Sequence, residues 1–412
     1  MFLSKDMLIN TDIFEFPVSL ILAAVFVSGV LLAGIRGSRS RLITFLSGRK
    51  CSVLLISISA VMLAVEGTWQ LRLFRHWSFL TLVLLTKFCL GLTLIDGIRK
   101  KRSLTFLLSH SGLLLVLAGG FFGAPDRTDA RMSVTAEEFS HSATDIRGMS
   151  VTLPFDVRLI GFTTDYYDDG TSPRQYTSTL SLDGTEVRTS VNHPARHRGY
   201  LIYQYGFDRE YGRYSVLKTV RDPWLPIVFI GMLILVSGAV ISLKHTWQSK
   251  AVIPVALVTA LLFGIISLAK INLGTLVPAL RSLWFVPHII IYMVAYSLLA
   301  IAVIVEIFKL CGKEWAIRIA GRLVSTASSL LLLGMICGAI WAQRAWGDYW
   351  TWDGKECWAA VTWLITLVAT HLPQQARRLA AFAVILSFLA MQMTWYGVDY
   401  LPSASYSLHT YK

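Results

Sequence analysis

The stretch Trp346-Gly347-Asp348-Tyr349-Trp350-Thr351-Trp352-Asp353-Gly354-Lys355-Glu356-Cys357-Trp358-Ala359 packs four tryptophans into fourteen residues between two apolar runs. Tryptophan is common near a membrane surface, because indole joins an apolar body to a polar N–H. This density, interleaved with Asp353, Lys355 and Glu356, is not common. It reads as an aromatic platform for a flat, amphipathic ligand with anionic edges. The flanking runs set the class of fold, since both approach the length of a membrane span.

Outward from that loop the chain stays apolar. Hydrophobic residues make up 54% of its 412 positions, and the mean hydropathy is +0.57, far above a soluble domain. Ten spans are predicted, at 16–35, 52–67, 77–95, 104–123, 222–243, 251–270, 283–308, 323–342, 358–373 and 379–396. The first lacks a basic leader and a small-residue cleavage site, so it is expected to remain as a span. The predicted fold is therefore a polytopic α-helical membrane protein with about ten transmembrane helices. One small β-rich extracytoplasmic domain completes it.

Sidedness follows from Lys and Arg. They cluster at Arg36–Lys50, Arg99–Arg102, Lys244–Lys250, Lys309–Arg322 and Arg377–Arg378, all on one side of a ten-span chain. That side is expected to be cytoplasmic. The opposite face then holds the N-terminus, segment 124–221, the Trp-rich loop and the C-terminus. The net charge of +13 needs no nucleic acid, because segment 124–221 balances 12 basic residues against 13 acidic ones.

Segment 124–221 is patterned for strands. Val151–Leu159, Tyr176–Leu182 and Tyr200–Tyr203 alternate apolar and polar residues, and Asp169-Gly170 and Asp183-Gly184 mark turns. The predicted organisation is a four-helix membrane part over 1–123, the β-rich domain over 124–221, and a helix and cytoplasmic linker over 222–250. A membrane domain over 251–412 follows, with its Trp-rich loop at 341–358. The five cysteines form no C-x-x-C, and only Cys357 falls near the outer face, so neither a disulfide nor a zinc site is expected.

The histidines form two pairs by topology. His110 lies six residues into the fourth span, roughly 9 Å deep at 1.5 Å per residue, and His371 closes the ninth on the same side. His288 lies just inside the outer end of the seventh span, and His409 sits in the outer tail. Taken alone, each is more simply an interfacial or hydrogen-bonded residue. Pairs at matching depth weigh against that, since ionisable side chains are costly inside a bilayer. Imidazole is also a standard axial ligand of haem iron. His76, His141, His193, His197 and His245 read as interfacial or solvent-facing.

With these residues in view, the C-terminal half, about 251–412, resembles the CcsA (ResC) proteins of cytochrome c biogenesis. Their outer loop carries W-G-x-x-W-x-W-D-x-K-E-x-W, which Trp346 to Trp358 match at every fixed position. His288 and His409 correspond to the two external histidines of that family, and His371 to its membrane histidine. The preceding part, from about 52, resembles ResB (CcsB), the usual partner. The resemblance rests on Ser109-His110-Ser111-Gly112, Leu153-Pro154-Phe155, Val191-Asn192-His193-Pro194 and Gly199–Gln204. The chain thus resembles a ResB–CcsA fusion with a shortened ResB part. It departs from the family in Gly354 for a frequent Pro, Ser407 and Thr410 around the second external histidine, and Asp399 for a frequent Asn.

The resemblance implies a cytochrome c synthase of System II. Haem b would be held first by His110 and His371, then carried to the outer face of the inner membrane. There His288 and His409 would be its axial ligands, with Trp346, Trp350, Trp352 and Trp358 around the macrocycle. Lys355 would neutralise a propionate, and Asp353 and Glu356 would orient the loop. The implied acceptor is an apocytochrome c with Cys-x-x-Cys-His, and thiol-reducing proteins and membrane lipid are the other implied partners. No catalytic acid or base is apparent, so catalysis would rest on haem presentation. A haem exporter without attachment activity and a di-haem electron carrier are the alternatives.

Overall fold

A computed structural model describes residues 12–37, 40–208, 211–246, 261, 276–373, 375–407 and 409. Among these residues the chain forms ten α-helices and one sheet domain. The helices are α1 (Val18–Arg36), α2 (Arg41–Leu46), α3 (Arg49–Trp69), α4 (Trp77–Arg99) and α5 (Leu104–Gly123) before the sheet. After it come α6 (Leu225–Thr246), α7 (Phe285–Leu310), α8 (Glu314–Trp346), α9 (Gly354–His371) and α10 (Arg377–Trp395). Eight of them, all but α2 and α9, are long and apolar enough to cross a membrane. The protein is a multi-pass membrane protein. The expected span at 251–270 lies outside the described residues, Leu261 excepted.

Hydropathy marks the apolar middle of a span, and several helices run beyond it. α8 has 33 residues, about 50 Å, and overshoots the expected 323–342 at both ends. α9 carries Lys355 and Glu356 in its first turn and is not among the helices apolar enough to cross a membrane. α9 packs inside the bundle, where Thr362 and Thr366 meet Thr394 and Ser387 of α10 at 3.4 and 3.2 Å. A helix so enclosed can carry paired hydroxyls in place of a lipid-facing surface.

Small residues let the helices approach closely. Gly112 of α5 faces the backbone of Gly231 and Leu235 on α6. Gly67 of α3 faces Cys357 and Trp358 of α9, where an added Cβ would stand 2.8 Å from the Cys357 Cβ. The N-terminal helices are thereby interlocked with the C-terminal ones rather than tethered beside them.

The sheet domain is an eight-stranded antiparallel sheet, separate from the helices. Its strands are β1 (Thr128–Thr135), β2 (Ser140–Asp145), β3 (Ser150–Tyr166), β4 (Pro173–Leu182), β5 (Thr185–Ser190), β6 (Ala195–His197), β7 (Tyr200–Phe207) and β8 (Tyr214–Arg221). Their order is β5-β4-β3-β2-β1-β8-β7-β6. Asp183-Gly184, both at positive φ, form the tight β4–β5 turn. Alternate residues such as Ala130, Met132, Val134, Val157, Leu180 and Ile202 fill the interior. The sheet curls until Thr189 of β5 donates to the Ile202 carbonyl of β7 at 2.7 Å.

Candidate functional site

The loop after α8 begins where Gly347, at φ +87°, ends the helix in the left-handed region. Glycine is required twice there, because a Cβ would also press on the Tyr203 ring of β7 at 3.0 Å. The loop ends in a capping box. The Asp353 carboxylate accepts from the Lys355 N–H at 2.7 Å, and Glu356 accepts from the N–H groups of Asp353 and Thr351. Asp353 and Glu356 therefore hold the end of the loop against the start of α9. Lys355 pairs with Asp399 at 3.1 Å.

The tryptophans divide between two neighbourhoods. Trp352 sits at φ +62°, stacks on Phe74 at 5.1 Å and meets Phe79 edge-on, with its carbonyl held by Gln70. Trp350 packs edge-on to Trp352, and Trp358 lies against α3. These three face the N-terminal helices. Trp346 turns the other way, edge-on to the His409 ring at 5.5 Å. The buried indole N–H groups of Trp346 and Trp358 have no hydrogen-bond partner among the described residues. Buried donors left in that state are rare.

His288 and His409 reach one indole from different elements. Trp341 of α8, 2% exposed, has the His288 ring at 5.9 Å and the His409 ring at 5.7 Å. Its N–H donates to the Ala279 carbonyl at 2.8 Å. The His288 Nδ1 lies 2.8 Å from the Gly334 carbonyl across the α7–α8 interface. Gly338, one turn further along α8, leaves room for the imidazole; a Cβ there would stand 2.6 Å from its Cε1. The His409 Nδ1 lies 3.4 Å from the Asp353 carboxylate. Burial opposes charge on both partners, but their contact prevails. It raises His409 above the usual imidazole range and lowers Asp353 to about 2.

At the far end of the bundle, His110 of α5 and His371 of α9 line one cavity of about 300 Å³. That volume falls at the lower end of ligand pockets, roughly 300–1,000 Å³. Phe106, Arg49 and Arg102 share the lining. The His110 Nδ1 is 2.8 Å from the Phe106 carbonyl, and the His371 Nδ1 is 2.8 Å from the Leu367 carbonyl, each four residues earlier in its own helix. The structure thus brings together the residues of each topological pair.

A carbonyl oxygen can only accept, so His110, His371 and His288 each carry hydrogen on Nδ1 and keep the Nε2 lone pair. His409 presents Nδ1 to a carboxylate, which favours the same arrangement. This is the second bond that orients ligating imidazoles. His76 is opposite. Its Nδ1 accepts from the Ser78 N–H at 3.3 Å, which puts the hydrogen on Nε2. His141 and His193 are exposed, and His197 pairs through Nε2 with Asp183 at 2.9 Å.

The sheet domain is tied to this site. Arg127 donates to the Gly347 carbonyl at 3.0 Å and pairs with Asp348, which also meets Lys218 at 2.5 Å. Asp129 joins both cations at 3.0 Å. Tyr203 accepts from Gln343 at 2.8 Å, and the Asn192 amide donates to the Pro278 carbonyl at 2.9 Å. Trp341, Arg127 and Gly338 did not stand out in the sequence. The Asp353-x-x-Glu356 spacing was a visible capping signal; the others depend on long-range contacts.

A family model described as Cytochrome C assembly protein matches residues 224–404, and one described as ResB-like family matches residues 101–213. Cytochrome c biogenesis protein CcsA of Oryza sativa is 38% identical over 93 residues, 22% of this chain and 28% of the rice protein. The match therefore spans less than a third of that relative. CcsA of Parasynechococcus marenigrum (strain WH8102) is 30% identical over 218 residues, 41% of this chain and 70% of the relative. CcsA of Guillardia theta is 29% identical over 199 residues, 38% of this chain and 65% of the algal protein.

Proposed function

From a chain that belongs to the CcsA family of cytochrome c biogenesis proteins and carries a ResB-like segment ahead of it, we propose a haem-carrying cytochrome c synthase. The sheet domain, the Trp-rich loop and the C-terminal tail face the extracytoplasmic side, and the His110–His371 cavity opens to the cytoplasm. Haem b is the substrate. His110 and His371 hold its iron on the inner side, and His288 and His409 hold it on the outer side.

The observation that carries this reading is the state of the four imidazoles. Each has Nδ1 against a carbonyl or carboxylate oxygen, at 2.8 Å for His110, His371 and His288 and 3.4 Å for His409, leaving Nε2 for iron. The Trp346 N–H, on the indole beside His409, is a donor for the porphyrin edge. Lys355 is a propionate partner once it releases Asp399.

Attachment needs little from the protein beyond placement. Each thioether forms when a cysteine S–H adds across a vinyl group, sulfur to one carbon and hydrogen to the other, with no net oxidation. Holding the macrocycle at the outer face beside an apocytochrome Cys-x-x-Cys-His lowers the entropic barrier. The acceptor histidine then displaces His288 or His409, which releases the product.

Co-expression with an apocytochrome c, in a host stripped of its own maturation system, tests the proposal. Covalent haem in the acceptor, read by pyridine haemochrome spectra, is the expected result. Haem reaching the outer face without attachment would make the protein an exporter. Haem that only relays electrons from quinol would make it an electron carrier.

A further inference from the structure

Two arginines stand at the cavity of His110 and His371. Arg49 is the first residue of α3 and Arg102 lies just before α5; both are exposed and both line that cavity. Among the described residues neither guanidinium is in an ion pair, whereas Lys100 and Lys309 at the same end pair with Asp96 and Glu306. Sidedness explains why cations gather at this end of the bundle. It does not explain why two unpaired guanidiniums converge on the histidine cavity.

Helix stability does not explain it either. The N-terminus of a helix favours acids, yet the first turns of α3 and α5 contain none, and α3 begins Arg49-Lys50. The Gly48 cap of α3 supplies no side chain to its first amides. The hydroxyls around the opening are turned into the helices: Ser52 donates to Gly48 at 3.3 Å and Thr93 to Cys89 at 2.8 Å. What remains free to donate is the pair of guanidiniums and the α3 amides. That is a receptor for anions at the mouth of a cavity whose depth holds imidazole.

We infer that Arg49 and Arg102 bind the two carboxylates of a porphyrin whose iron is held by His110 and His371. The inference rests on the proposed ligand role of those histidines. A guanidinium fork matches a carboxylate with two parallel hydrogen bonds, and two forks match the two propionates on one edge of the macrocycle. Haem enters with that edge at the aqueous mouth and its vinyl edge pointing into the bundle. The arginines thus set orientation before transfer, and select porphyrin diacids over neutral porphyrins.

The test uses the purified full-length chain carrying His288→Ala and His409→Ala, so that haem has only the inner pair. Binding of iron protoporphyrin IX is compared with binding of its dimethyl ester, in which both carboxylates are masked. The expected preference for the diacid is about tenfold, the factor that 1.4 kcal/mol makes. Arg49→Gln with Arg102→Gln removes the preference, leaving ester affinity and the six-coordinate spectrum unchanged; the double lysine variant keeps part of it. A preference that survives the glutamine pair overturns the inference. So does a glutamine pair that instead abolishes protection by phosphatidylglycerol micelles, which makes the mouth a lipid-headgroup site. Adding His110→Ala and His371→Ala separates the two claims. If the six-coordinate spectrum survives, the ligand assignment fails, while the diacid-to-ester ratio still reports on the arginines.

Discussion

The two histidine pairs are built differently. His110 and His371 are each oriented by a carbonyl of their own helix, and they border an open cavity. His288 is oriented by a neighbouring helix and His409 by a loop carboxylate, and the Trp341 indole packs against both rings. The first arrangement survives as long as two helices exist. The second depends on α7, α8, the Trp-rich loop and the tail keeping their places together. On the proposed function, an outer site that must release haem is better served by the second design, since any one element can loosen it.

The contrast breaks most completely if the outer ligands are removed. His288→Ala or His409→Ala is expected to lower outer-site haem affinity by at least about 100-fold, the upper range seen even for lost ligand supports. Inner-site haem should persist, as read by absorbance with and without Arg49→Gln and Arg102→Gln. Equal haem loss from both sites would erase the distinction.

Gly338→Val comes next. The added branch collides with the His288 imidazole and costs about 1–3 kcal/mol of overpacking. Outer-site affinity should fall about tenfold or more, with inner-site affinity unmoved. Haem titration beside thermal melting separates displacement of the ring from global unfolding.

Asp353 sharpens the comparison. Asp353→Ala removes both the helix cap, worth about 1 kcal/mol, and the anion that orients His409. Asp353→Asn keeps the cap and loses the charge. Both variants should weaken the outer site, and only the alanine should lower the melting temperature appreciably.

The smallest effect is that of pH on the haem-free tail. His409 has a raised folded-state pKa, so its pairing stabilises docking fully below its unfolded value, about 6.5. That contribution disappears as pH climbs through the raised value. Asp353, held down at about 2, contributes from above its own unfolded value and loses that only in strong acid. Protection factors of residues 397–407, that is, exchange rates corrected for their intrinsic pH dependence, should therefore fall between neutral and alkaline pH, and Asp353→Asn should flatten that fall.

The helices were legible because lipid leaves no choice: a span must be long, apolar and internally hydrogen-bonded. α9 was legible too, although Lys355 and Glu356 blurred its start. Strand alternation located β3, β4 and β7, but the curl of the sheet is a property of all eight strands together. The histidine pairs were readable from depth alone. The orientation of His288 was not, because the Gly334 carbonyl is 46 positions away from it. Trp341 went unread for a different reason: it lies at the end of an apolar run, where one more indole resembles a lipid anchor.

The square of Arg127, Lys218, Asp129 and Asp348 has a final consequence. Two positive and two negative groups close it without net charge, and it lies across the boundary between the portions similar to ResB and to CcsA. In a single polypeptide such a clasp need not be tight. Covalent connection gives it an effective concentration on the order of millimolar, so weak bonds keep it shut most of the time. Stoichiometry is fixed at one to one by translation itself. Separately made halves would need a far stronger joint to reach the same occupancy.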